Sequence, residues 1–362
     1  MKKSPSKHLL NPAIVVGVMT VINQMKAFGE SIMPTEFDWN LNPQAANRLF
    51  LKPIFASANP LTEIFSIMRN VKSEATMYYL GHPGKIIQRN DDCNFTPKGR
   101  MTMTQRKINV YRAKINMQQC NDEFFDTCLE YALGNELDIF DPESTDHLRK
   151  LKNAMLTHIQ IATVNNMLAL ALYGDRTLAD DFYNVTDGVY KAIDAAVVAG
   201  DITEINAGSG AAYAAGDASD VFKAVHLGSN RILRNLSKSQ KEYLVDEKTF
   251  DNYVDELKAL GTEEAHRLIV NGIPTDSYKY DGIEVRKVPE LGDILEADFG
   301  LTEPHRVIYQ AKGSLKLATD IQGSATRFRV YLDPVHQKVW FYDAAFKLGA
   351  NFVHSELITV AK

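Results

Sequence analysis

The residues from Asp141 to Tyr173 constrain this chain most, because they read as one unbroken helix. Asp141 supplies an N-cap carboxylate, Pro142 stands at the first helical position, where its missing N–H costs nothing, and Glu143 lies near the positive end of the dipole. Leu148, Leu151, Met155, Ile159 and Ala162 recur at three- and four-residue steps, the run from Met167 to Leu172 is apolar on every side, and Gly174 closes the segment. The first half therefore keeps one face in water and the second half is expected to be buried. About 33 residues at ~1.5 Å each make a rod of roughly 50 Å, several turns longer than an average helix. A rod of that length sets the long dimension of a subunit.

The segment before the rod changes period. Thr76 to Leu80 reads as one strand, Gly81-His82-Pro83-Gly84 as a turn, and Ile108, Val110, Ala113, Ile115 and Met117 alternate along a returning strand, with Phe95, Pro97 and Gly99 near the far tip. A long hairpin exposes its edges and has few internal partners, so it needs something outside itself to lie on. Residues 30–62, broken by Pro34, Pro43, Pro53 and Pro60 but carrying Phe37, Trp39, Phe50, Leu51 and Phe55, read as extended pieces. They form either an arm ordered along another surface or a buried irregular loop.

Charge is sorted along the same region. From Gly81 to Cys120 the basic residues are Lys85, Arg89, Lys98, Arg100, Arg106, Lys107, Arg112 and Lys114, against Asp91 and Asp92 alone. From Asn121 to Asp146 there is no Lys or Arg, and the acids are Asp122, Glu123, Asp126, Glu130, Glu136, Asp138, Asp141, Glu143 and Asp146. Two such blocks can pair within one chain, pair between neighbouring copies, or remain solvated faces. Arg100, Arg106, Lys107, Arg112 and Lys114, with Asp122, Glu123, Asp126 and Glu130, are the candidate contacts between copies. The basic hairpin lacks the interleaved aromatics of a base-stacking platform, and a net charge of -5 argues against a general nucleic-acid binder.

The search for chemistry excludes more than it finds. None of the nine histidines forms a His-x-x-x-His or His-Glu-x-x-His pair, and the cysteines Cys93, Cys120 and Cys128 have no metal-type spacing, so no metal or cofactor is expected. No serine occupies a Gly-x-Ser-x-Gly elbow. Gly208-Ser209-Gly210 lacks the lysine and third glycine of a phosphate loop, and Asn206 to Gly216 reads as a flexible surface loop. Lys2, Lys3 and Lys7 precede the apolar run Ala13 to Ile22, but that run is too short for a membrane span and no small-x-small cleavage pattern follows. An amphipathic N-terminal helix ending near Phe28-Gly29 is the expectation, with no membrane partner and no enzyme activity.

Behind the rod, Thr186 is expected to cap a helix from Asp187 to Ala199, ended by Gly200-Asp201. Further helices are expected at Ala218 to Leu236, Thr249 to Leu260 and Glu263 to Val270. A strand from Ile283 to Val288 follows the Tyr280-Asp281-Gly282 turn. The last third is β: His305 to Gln310 and Leu315 to Ala318 flank Lys312-Gly313, Ala325 to Leu332 leads through Asp333-Pro334 to Val339–Tyr342, and a strand from Asn351 to Val360 ends the chain.

This order of arm, basic hairpin, long helix, mixed insert and closing β segment resembles the major capsid protein of tailed bacteriophages, of the Hong Kong ninety-seven type. The likeness is carried by Ile64 to Gly81, by Pro304-His305-Arg306 with Gly313 to Asp320, and by Phe328 to Val360, including Tyr331-Leu332-Asp333-Pro334 and the run Phe341 to Gly349. The resemblance implies an α+β fold with an N-terminal arm over 1–65, an extended β-hairpin loop over 66–121, a peripheral domain over 122–180 and 304–362 that holds the spine helix, and an axial domain over 181–303. It implies self-assembly through hexamers and pentamers into an icosahedral shell around double-stranded DNA, in a virion assembled in the host bacterial cytoplasm. Portal and scaffolding or decoration proteins are the further partners it implies, scaffolding as a separate protein, and packaged DNA is touched only non-specifically. An encapsulin-type cellular compartment shell is the alternative with the same fold.

Overall fold

The computed structural model describes residues 39–40, 54, 59–81, 101–120, 145–270, 273–320, 327–332 and 339–362, together with 85–87, 89, 98 and 99. The expected N-terminal helix, most of the aromatic arm, the tip at Phe95 and Pro97, the acidic block, the Asp141 cap, Cys93, Cys128 and the Asp333-Pro334 turn lie outside the described residues. The chain forms two compact units, one of 1–42, 115–159 and 328–344, the other of 43–114, 160–327 and 345–362.

The long helix runs over Thr145–Tyr173. Its last turns, Met167 to Tyr173, are buried as the apolar run requires. Two glycines let the chain cross this end closely. A Cβ on Gly174 would lie 2.5 Å from the Leu170 and Thr186 carbonyl oxygens, and one on Gly188 would lie 2.6 Å from that of Leu172. Tyr173 stacks on Tyr190 at 4.8 Å and donates from its hydroxyl to the Leu291 carbonyl at 2.6 Å. Thr186 does not cap the next helix, Val189–Val198. Gly188 stands at that N-cap, and Thr186 is buried with its hydroxyl on the Leu348 carbonyl. At the other end Gly200, at φ +79°, forms a Schellman turn: its N–H reaches Val197 and that of Asp201 reaches Ala196.

In the second unit a seven-stranded sheet holds the main core, in the order β6 (Glu204–Ile205), β15 (Ile358–Ala361), β11 (Val307–Ala311), β7 (Lys241–Val245), β10 (Ile283–Lys287), β9 (Ile273–Tyr280) and β8 (Arg267–Val270). Phe222, Tyr243, Val245, Tyr253, Leu257, Val307 and Tyr309 form its buried cluster. Helices Asp217–Gly228 and Glu247–Ala259 contribute to it. The β9–β10 turn is tight because Asp281 and Gly282 both take positive φ, 47° and 74°.

Several expectations on this unit are corrected. The single helix from Ala218 to Leu236 is two, because Ser229 turns its hydroxyl onto the His226 carbonyl and Asn230 caps Arg231–Asn235 through the Ile232 N–H. The expected helix from Glu263 to Val270 stops at His266, and Arg267–Val270 is an edge strand. Pro60 opens a helix, Pro60–Ile64, in which Asn59 and Thr62 form a capping box. Strands β11 and β12 (Leu315–Thr319) do not pair across Lys312-Gly313. The first joins β7 and β15, whereas the second pairs with β2 (Ser66–Arg69) and with the end of β14 (Val339–Phe352). A 3-10 turn at Ser355–Leu357 interrupts the closing strand.

In the first unit β1 (Trp39–Asn40) pairs antiparallel with β13 (Arg327–Leu332), Trp39 opposite Val330, and β13 neighbours β14.

Candidate functional site

The hairpin is the feature with unspent contact surface. Strand β3 (Glu74–Leu80) pairs antiparallel with β4 (Met103–Asn109), with Ala75 opposite Ile108, Met77 opposite Arg106 and Leu80 opposite Met103. Alternation gives this ribbon two faces. One carries Ala75, Met77 and Ile108 into a small core with Val71, Val110 and Ala318. The expected single strand from Ile108 to Met117 is two, because the chain breaks at Val110, whose N–H donates to Ser73, before β5 (Tyr111–Cys120) pairs with β14.

The inner face is held where β14 ends. The Arg106 guanidinium lies 3.8 Å over the Phe352 ring, Tyr79 stacks on His354 at 4.2 Å, and the Asn351 amide donates to the Lys107 carbonyl at 2.9 Å. Gly349 lets the backbones meet, since a Cβ there would sit 2.9 Å from the Asn109 carbonyl carbon. Burial lowers the Arg106 pKa and Asp201 opposes that shift, while burial and then Glu356 raise the Tyr79 hydroxyl.

The outer face is different. Tyr78, Leu80, Met101 and Met103 are 63%, 57%, 61% and 64% exposed, and Ile87, further out, is 89% exposed. The hairpin thus presents an apolar stripe on the side away from its own core.

The sequence-predicted charges are divided by this geometry. Arg106 is turned inward over Phe352, and Lys107 pairs with Glu74 across the ribbon at 3.2 Å. Arg112 and Lys114 are exposed on β5, and among the described residues no carboxylate pairs with either. Arg100, Asp122, Glu123, Asp126 and Glu130 lie outside the described residues. The apolar stripe was missed in reading the sequence, although the unbroken run Met77-Tyr78-Tyr79-Leu80, which puts large apolar side chains on both faces of a strand, carries its signal.

The glycine loop brings residue types of a catalytic triad near one another without their geometry. Ser209, His305 and Asp246 come together, but the Ser209 hydroxyl bonds the backbone N–H and carbonyl of His305, at 3.0 and 3.1 Å, and leaves the ring alone. The ring is committed elsewhere, with Nε2 2.9 Å from the Ala211 carbonyl oxygen and one face stacked on Tyr213 at 3.6 Å. Nδ1 is 3.9 Å from Asp246, too far for a hydrogen bond. Burial opposes charge on both groups, yet their mutual attraction and hydrogen bonds leave the His305 pKa raised and that of Asp246 lowered. These residues are a clasp built on the buried His305 and Asp246, so the segment from Asn206 to Gly216 is pinned where a loose loop was expected. Among the described residues no cluster of His, Cys, Asp or Glu could hold a metal ion, and no helix is long and apolar enough to cross a membrane.

No family model matches the sequence, and no curated protein matches it. Solved structures do. A chain of the satellite phage P4 procapsid, a structure that includes the size determination (Sid) protein, is similar at 11% identity over 86% of this chain and 97% of that one, with a TM-score of 0.52. The capsid of Myoviridae phage XM1 is similar at 9% identity over 98% of this chain and 99% of that one, with a TM-score of 0.50. This chain has the phage major-capsid fold. A looser likeness, with a TM-score of 0.47 at 9% identity over 94% of each chain, reaches the SrpI encapsulin of Synechococcus elongatus.

Proposed function

We propose that this chain is a major capsid protein that self-assembles into the icosahedral shell enclosing phage double-stranded DNA. The observation that carries the reading is the outer stripe of Tyr78, Leu80, Met101 and Met103, left uncovered on a ribbon of the phage-capsid fold. A second copy is the occupant such a stripe fits, because every subunit in a shell offers the same ribbon and the same receiving surface. Association then draws its strength from apolar area, at ~25 cal/mol per Å² before the costs of ordering. Exposed charges such as Arg112 and Lys114 contribute only ~0.2 to 1 kcal/mol each and select partner and register. Weak individual contacts allow a growing shell to correct mistakes.

On this reading residues 1–65 are the N-terminal arm, 66–121 the extended loop, 122–180 with 304–362 the peripheral domain and 181–303 the axial domain. The subunits gather as hexamers and pentamers, with portal and scaffolding or decoration proteins as further partners, and the product is the virion capsid. Size-exclusion chromatography and electron microscopy of the full chain test the proposal. Closed particles of uniform diameter support it, and a single subunit-sized species at every concentration and salt refutes it. Particles that enclose an enzyme in place of nucleic acid assign the chain to the encapsulin class.

A further inference from the structure

One stretch of the seven-stranded-sheet unit reverses the charge balance of the whole chain. From Val221 to Lys241 there is no Asp or Glu, while Lys223, Arg231, Arg234, Lys238 and Lys241 fall within those residues. Of these, only Lys238 has a carboxylate partner among the described residues, Asp281 at 2.8 Å. Arg231 and Arg234 are exposed, whereas Lys241 is 3% exposed and donates to the Arg234 carbonyl at 2.9 Å. A buried ammonium without a paired carboxylate is costly, and burial, reinforced by Lys238 and only partly opposed by Asp281, lowers its pKa.

The surroundings of Lys241 hold further unmatched polar groups. Lys241 and Tyr243 lie on one face of β7, and Tyr309 stands opposite Tyr243 on β11, the two rings stacked at 4.5 Å. Both tyrosines are fully buried, and neither hydroxyl has a hydrogen-bond partner. Nδ1 of His226, whose ring centroid is 5.8 Å from that of Tyr309, is likewise buried and unpartnered. Native interiors satisfy nearly all such atoms, so three in one place beside a buried cation, which Asp281 attracts without forming an ion pair with it, call for a ligand that accepts several hydrogen bonds and carries negative charge. Glu242 does not meet the need, because it takes the other face of β7, where Gln310 donates to it at 3.0 Å.

We propose that this cluster is an oxyanion site: the Lys241 ammonium and the Tyr243 and Tyr309 hydroxyls receive one phosphate group, with Arg234 and Lys238 at the rim. Phosphate matches the donor set because it offers three or more acceptor oxygens and its charge offsets the burial of Lys241. The same chemistry comes from two sources, inorganic phosphate and the phosphodiester of a nucleic acid. The site does not depend on the shell reading, since it is complete within one chain.

The test is thermal unfolding of the full chain in phosphate against chloride at equal ionic strength, with fluorescence anisotropy of a short labelled DNA duplex beside it. Phosphate raises the melting temperature saturably above the chloride control. Tyr309→Phe and Lys241→Met each weaken the apparent affinity about tenfold or more, the loss expected for a hydrogen bond to a charged group. The double variant Arg234→Gln with Lys238→Gln is exposed and leaves the fold intact by circular dichroism, and it weakens phosphate binding as well. Duplex that competes with phosphate identifies the source as nucleic acid, and phosphate binding without competition identifies the free anion. Equal melting in phosphate and chloride overturns the proposal, as does a phosphate shift unchanged in both Tyr309→Phe and the rim variant.

Discussion

Replacing Leu80, Met101 and Met103 together by threonine separates the subunit's own stability from its association. The three side chains are 57%, 61% and 64% exposed in the subunit. Threonine is β-branched and favours a strand at Leu80 and Met103, so each change should alter subunit stability by no more than ~0.5 kcal/mol, the usual range for a surface position. A neighbour that covers the stripe buries what is now exposed, roughly three-fifths of each residue. Full burial of a Leu or Met side chain is worth about 1.5 to 3 kcal/mol, so each loses about 1 kcal/mol or more of association free energy. The three together cost ~3 kcal/mol at each contact, or about two orders of magnitude in the association constant. Urea unfolding of the subunit and light scattering across a concentration series measure the two quantities separately. Assembly at an unchanged threshold concentration would refute the role given to the stripe. Loss of subunit stability in step with loss of assembly would show that the residues pack within their own chain.

Gly349→Ala drives a methyl group into the Asn109 carbonyl, backbone against backbone, and should destabilise the hairpin base by about 1 to 3 kcal/mol, read as earlier proteolysis of 74–109. Arg112→Glu with Lys114→Glu leaves the subunit's melting unchanged, because both side chains are exposed, and shifts the salt dependence of assembly; unaltered assembly at low salt counts against a steering role. Asp175 is opposed by burial, but a 2.6 Å contact with Lys191 and bonds from Thr177 dominate and bring its pKa from 3.8 to about 2. The unfolded chain therefore holds this proton more tightly, and the group contributes stability above pH 3.8 that is lost as pH falls towards 2. Asp175→Asn should flatten that acid limb in pH-dependent denaturation, and an unchanged limb would assign it to other carboxylates.

The sequence by itself determined the elements whose signal is local. The helix to Tyr173 with its buried final turns, the Asp281-Gly282 turn and the β3 strand are written in spacing, glycine position and β-branching, all of which act within a few residues. The fold class was legible because element order survives where individual residues do not. Tertiary structure decided the rest. Strand Lys241–Val245 opens with two charged residues and was passed over, yet every residue in it is buried, since the neighbouring strands and helices supply partners such as Gln310 for Glu242 and the Arg234 carbonyl for Lys241. The glycine-rich segment to Gly216 reads as loose because nothing nearby restrains it; His305, more than ninety residues away, pins it through Ser209 and Tyr213. Arg106 and Lys107 are equivalent in composition, and only the facing of the ribbon sends one onto Phe352 and the other to Glu74. Local propensity is a property of the chain, but burial and the choice of partner belong to surfaces that exist only once distant segments have met.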